Sequence, residues 1–160
     1  MRKKELLKAA LSVCTVLLFW FYVLPHLRYS FTRSAGAHLF WIKDRCSLKR
    51  WEFVEVKVRP DDPFVPDPRH TLLIKRITCL PGETIERRGL SFFCNGYLFV
   101  GKAKTRARDG RKLTPWTPDV KVIPEGYYFL SNPQCSDSYD SRYLGLFPRS
   151  AIVHCLTPLF

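Results

Sequence analysis

A mainly β body behind a single N-terminal transmembrane helix is the fold class this sequence predicts, and three observations predict it. One apolar run near the start, Leu11 to Leu24, is long enough to matter and carries no charge. The rest is short stretches of Val, Ile, Phe, Tyr and Trp, punctuated by 12 prolines and 8 glycines, a pattern of strands and turns rather than long helices. Asn95-Gly96 between Ser91-Phe-Phe-Cys94 and Tyr97-Leu-Phe-Val100 is a strong short hairpin signal. At 160 residues the chain holds one domain plus an appendage.

Residues 1–8 are basic, and Ala9 to Pro25 is uncharged over 17 residues, against the roughly 17–25 that span a bilayer. Positive charge ahead of the span predicts a cytoplasmic N-terminus. The expected organisation is a basic N-terminus over 1–8, an anchor over 9–25 and an exported domain over 26–160. A cleaved signal peptide and a buried core helix compete with the anchor. Ala35-Gly36-Ala37 has the small-x-small form of a cleavage site, but about ten residues with Arg28 and Arg33 separate it from the apolar run.

Within the body, Trp51 to Val58 alternates Phe53 and the valines against Glu52, Glu55 and Lys57, which predicts a half-buried strand. Four prolines make Arg59 to His70 a loop. Leu72 to Cys79 is the next strand, closed by Pro81-Gly82. After the hairpin come strands at Val120–Ile123, Tyr127–Leu130 and Ala151–Cys155.

The formal net charge of +12 favours anionic lipid, nucleic acid or acidic peptide as partners. The basic run Gly101 to Lys112 has no interleaved aromatics for base stacking, so it reads as a solvated excursion and nucleic acid is not expected. Cys14 lies in the apolar run, leaving Cys46, Cys79, Cys94, Cys135 and Cys155. The spacings of Cys79/Cys94 and Cys135/Cys155 suit cross-strand disulfides in an oxidising compartment, with one cysteine over and connectivity open. No Cys-x-x-Cys pair or Cys/His spacing points to zinc, and no metal or cofactor is expected.

Three places carry candidate chemistry. Lys75 ends the apolar run Leu72-Leu-Ile74, where desolvation lowers a lysine's pKa and suits it to act as a general base; the competing reading is an edge strand kept soluble by Lys75 and Arg76. Ser34 follows the span closely, where its hydroxyl would meet membrane-tethered substrates; the competing reading is a loop serine. Asp137-Ser138-Tyr-Asp140-Ser-Arg142 puts two carboxylates and an arginine within six positions, as an ordinary turn with a local salt bridge would.

Taken together these stretches resemble a family. Lys75-Arg76-Ile-Thr-Cys-Leu80-Pro81-Gly82-Glu83 is similar to the lysine box of type I signal peptidases, and Ser138-Tyr-Asp140-Ser141-Arg142-Tyr-Leu-Gly145 resembles their Ser-x-Asp-Ser-Arg-Tyr-x-Gly box. The order of anchor, serine and the two boxes also matches. Around Ser34, the segment Ser30 to Phe40 is closest to the Asn-x-Thr-x-Ser-x-Pro-x-Gly-Leu-Tyr pattern of TraF-type conjugative-transfer peptidases. Thr32, Ser34 and Leu39 match it, while Ser30, Gly36 and His38 stand where that pattern has Asn, Pro and Gly. The Gly-Asp-Asn that precedes the second box in the family is absent, with Ser131-Asn132-Pro133 near its place.

The resemblance implies a small antiparallel β-sheet catalytic domain, periplasmic behind an inner-membrane anchor, and a serine endopeptidase with a Ser-Lys dyad. It implies Ser34 as nucleophile, Lys75 as general base, Thr32 as second oxyanion donor, Ser138 as the lysine's orienting partner and an Asp140–Arg142 support, with Asp140 also required for activity. Its implied partners are the bilayer, a propilin or other preprotein, and further components of conjugative secretion. A general signal peptidase and a non-enzymatic pilus-assembly factor are the competing functions.

Overall fold

The computed structural model describes residues 2–160, and the backbone alone of Arg33. Helix α1 (Arg2–Leu18) continues through one wider turn at Phe19–Val23 and a tight turn at Leu24–His26. The resulting 25-residue helix, Arg2–His26, has a mean hydropathy of 2.0 over its most apolar stretch, none of which is buried; only its end meets the body, where His26 stacks on Trp41 of the first sheet. At 1.5 Å per residue that is about 37 Å, more than a hydrocarbon core of about 30 Å. The core-helix reading therefore fails, because the apolar stretch of this helix is uncovered.

The body is antiparallel β. Seven strands form one sheet in the order β1 (Leu27–Tyr29), β2 (Leu39–Ile42), β10 (Ile152–Pro158), β3 (Phe53–Lys57), β4 (Leu72–Cys79), β8 (Tyr127–Ser131) and β9 (Phe147–Pro148). A second sheet joins β5 (Ile85–Arg88), β6 (Ser91–Cys94) and β7 (Leu98–Lys102). The β6–β7 turn is at Asn95-Gly96, whose φ values of 53° and 75° give the twist that matches two paired strands.

Lys75 does not lie at an edge. β4 runs between β3 and β8, with Val54 opposite Lys75 and Ser131 opposite Arg76. The expected half-buried strand at 51–58 is buried on both faces, because Glu55, predicted to face water, is taken inside by Arg28 (3.3 Å) and His154 (2.8 Å). Residues 120–123 form no ladder; the segment is held by the Thr84–Val122 bridge and by backbone bonds from Ile85 N–H to the Lys121 carbonyl (3.1 Å) and between Ile123 and Gly82 and Glu83.

The cysteines correct the expected pairs. Cys155 is bridged to Cys46 across 109 residues, not to Cys135. The reason is topological: the chain leaving β2 runs along β10, where Lys43 N–H donates to the Cys155 carbonyl at 2.8 Å, bringing Cys46 alongside. Cys135 lies on the far side, in the loop after β8. Cys79 and Cys94 are buried free thiols.

Three apolar clusters fill the body, and one positions the candidate site. Ala35 and Ala37 pack with Phe40, Phe53, Ile74 and Leu156. The neighbour of Ser34 and the neighbour of Lys75 thus share a single patch of core.

Candidate active site

Lys75 is 4 % exposed. Its Nζ donates to Ser138 Oγ at 3.0 Å. Burial drives its pKa below the ordinary lysine value; Asp140 opposes that shift and Arg142 adds to it. A strand interior imposes this, since the residue must follow the ladder inward whatever its charge.

The Ser138–Arg142 segment is wired into the sheet. Asp140 caps the short helix α2 (Ser141–Leu144), its Oδ1 accepting Arg142 N–H (3.2 Å) and Nε (2.8 Å). Its Oδ2 accepts Arg142 Nη2 (2.8 Å) and the Asn132 N–H (3.1 Å). Arg142 also donates to the carbonyls of Lys102 (2.6 Å), Cys135 (2.9 Å) and Ser138 (2.9 Å). Neither side chain of this bidentate pair touches solvent. Ser141 Oγ accepts the Leu130 N–H at 2.8 Å, fastening the box to β8. Tyr139 reaches the other way, donating to Asp62 at 3.1 Å and tying in the proline-rich loop.

Ser34 sits on a single helical turn, Arg33–Ala35, and is half-buried. Its Oγ lies 3.1 Å from Thr32 Oγ1. The structure therefore brings together Lys75, Ser138, Asp140 and Arg142 by direct bonds. It pairs Ser34 with Thr32, and the two groups meet through the Ala35–Ile74 packing; among the described residues no hydrogen bond joins Ser34 Oγ to Lys75 Nζ.

Two further residues belong to this region. A Cβ at Gly101 would come within 3.0 Å of Arg142 Cδ, and its φ of 134° is itself one that side chains rarely adopt, so the guanidinium needs glycine there. Asn132 bridges β4 and the box, its Nδ2 donating to the Ile74 carbonyl at 3.2 Å. Neither carries a signal in a linear reading, because each matters only through a contact between strands.

Away from the site, Cys79, Glu83 and Cys94 place their donor atoms within 4.8 Å of one another, a grouping the linear spacing hides. Glu83 is already saturated: Oε1 accepts from Arg50 and Asn95 (2.9 Å), Oε2 from Leu80 N–H (2.7 Å) and the Cys94 thiol (3.1 Å). Burial raises the Glu83 pKa, but these donors outweigh it and hold the carboxyl below its usual range. This cluster anchors the Pro81-Gly82 turn through Arg50.

Against known families, the model for signal peptidase, peptidase S26, matches residues 3–157. The chain belongs to that family. Among curated proteins it is similar to the conjugal transfer protein TraF of Agrobacterium fabrum, 31 % identical over 88 residues, covering 55 % of this chain and 48 % of that one. It is also similar to signal peptidase I of Bacillus amyloliquefaciens, 37 % identical over 86 residues, covering 49 % and 45 %. The chain thus spans a little under half the length of the curated relatives it matches. A signal peptidase I crystal structure from Enterococcus faecalis aligns with a TM-score of 0.44 at 24 % identity, over 72 % of this chain and 99 % of that one.

Proposed function

We propose that this chain is a membrane-anchored serine endopeptidase that cuts exported precursors next to the bilayer, with the propilin of a conjugative system as its substrate. The observation that carries the reading is Lys75, a buried lysine in mid-sheet bonded to Ser138, on the strand whose Ile74 packs against Ala35 of the Ser34 turn. Similarity to a conjugal transfer protein supports the propilin as substrate; similarity to the Bacillus signal peptidase keeps a broader set of preproteins as the second reading.

In this mechanism Ser34 Oγ bonds to the scissile carbonyl carbon as its proton passes to neutral Lys75. Collapse of the tetrahedral intermediate breaks the C–N bond, and the lysine's proton leaves on the departing amine, giving an acyl-enzyme ester. The oxyanion is held by the Ser34 N–H and the Thr32 hydroxyl, each such donor worth about 3 kcal/mol. Asp140 and Arg142 keep the box in place. Water then resolves the ester, or the substrate's own N-terminal amine does so and closes a ring, since a tethered amine at high effective concentration outruns water. The basic N-terminus lies in the cytoplasm and residues 26–160 in the periplasm, by the excess of positive charge before the span.

Co-expression of wild type, Ser34→Ala and Lys75→Ala with the propilin, followed by intact mass of the pilin, tests this. The cyclising peptidase gives a product one water lighter than the linear mature form, and both variants leave precursor. A linear product lost in both variants indicates a plain signal peptidase. Processing that survives both substitutions overturns the assignment.

A further inference from the structure

Asn132 is 3 % exposed, and its Oδ1 is the lone buried side-chain oxygen or nitrogen without a partner among the described residues. Its orientation is fixed from the other end of the amide. Nδ2 donates to the Ile74 carbonyl, so the oxygen cannot point there. Pro133, with no N–H, follows directly, and the Asn132 side chain supplies a donor to β4 at the point where the backbone cannot. Asn132 itself lies one residue beyond the Arg76–Ser131 rung, which sets it beside Lys75.

The acceptors around Lys75 are otherwise spoken for. A lysine ammonium has three N–H bonds. One goes to Ser138 Oγ. The carboxylate nearest in charge, Asp140, has both oxygens doubly occupied by Arg142 and the Asn132 N–H. The other groups facing the lysine are Arg142, which has no acceptor, and Cys135, whose sulfur is a weak one, and Glu55 of β3 is committed to Arg28 and His154. A buried acceptor left empty costs free energy, and a neighbouring cation short of acceptors removes that cost.

We propose that Asn132 is a positioning residue whose Oδ1 receives an N–H of Lys75 when that lysine holds the proton taken from Ser34. Its catalytic meaning rests on the Ser34–Lys75 reading above; the contact itself does not. When Lys75 is neutral the oxygen waits, and when the ammonium forms during acylation the amide binds its third N–H. Asn132 thereby stabilises the protonated base without an added charge, which would hold the lysine permanently protonated.

The test is titration of the Lys75 side chain by NMR of lysine-labelled full-length protein in detergent micelles, assigned with Lys75→Met. Asn132→Ala is expected to lower the lysine pKa by about one unit, a tenfold loss of proton affinity, and to move the acid limb of Ser34 acylation down with it. Asn132→Asp, which keeps an acceptor and adds charge, is expected to shift both upward, and it carries the test if Asn132→Ala does not fold. A titration unmoved in a folded variant overturns the proposal and leaves Asn132 as a strand-to-loop tie. Shifted titration with no Ser34 acylation in wild type keeps the contact and removes the peptidase reading instead.

Discussion

Lys75 hangs from the middle of a seven-stranded sheet, inside and bonded, whereas Ser34 rides on one helical turn beyond the apolar helix, where Phe31 three residues earlier is 91 % exposed. The two halves meet different physical demands. A lysine becomes a base near neutral pH only if water is kept from its ammonium form, and a sheet interior does that. A nucleophile must be reached by a polypeptide, and a turn just beyond the apolar N-terminal helix offers that access. Disturbing the lysine and its wiring should therefore cost or change stability, whereas the Ser34 side chain itself should matter to chemistry alone.

The largest effect expected from that contrast is at the ion pair. Arg142→Ala leaves Asp140 as a buried, unpaired charge and should cost about 3–5 kcal/mol in chemical denaturation. Arg142→Lys should rescue little of it, because an ammonium cannot make the bidentate contact or reach three carbonyls at once.

Next in size is the disulfide. Replacing Cys46 and Cys155 with alanine releases a closed loop of 109 residues and should cost about 2–4 kcal/mol. Its mark in amide exchange should fall on β2 and β10, on the serine side, before β4 and β8.

Lys75→Met should act with the opposite sign. The folded lysine's pKa is depressed, so between that value and about 10.4, the unfolded one, the unfolded state binds more protons. Stability then rises with pH across that window, by up to about 1.4 kcal/mol per unit. The methionine variant should be more stable than wild type at pH 7, lack this slope, and lose its advantage as pH nears 10.4. Acylation of Ser34 should fall in wild type as pH drops through the depressed pKa, where the base becomes protonated. Smallest of all, Ser34→Ala should lie within about 0.5 kcal/mol of wild type in stability while abolishing acylation.

Much of the lysine half was legible in the sequence. Leu72 to Cys79 announces a strand by its apolar run, and Asn95-Gly96 its hairpin, because both signals are local. Glu55 misled for the converse reason: alternation implies a wet face, and only Arg28 and His154, distant in sequence, show why a carboxylate there is buried. The cysteine pairing failed likewise, since spacings along the chain say nothing about β10 lying between β2 and β3. Gly101 and Asn132 were silent because their roles are contacts with Arg142 and Ile74.

The most direct test of the Ser34–Lys75 assignment is exposure of the full-length protein in detergent to a serine-directed acylating reagent, read by intact mass and peptide mapping across pH. One adduct on Ser34, absent from Ser34→Ala and from Lys75→Met and declining in wild type toward acid pH, is the predicted result. An adduct elsewhere, or none at any pH in folded protein, would contradict it.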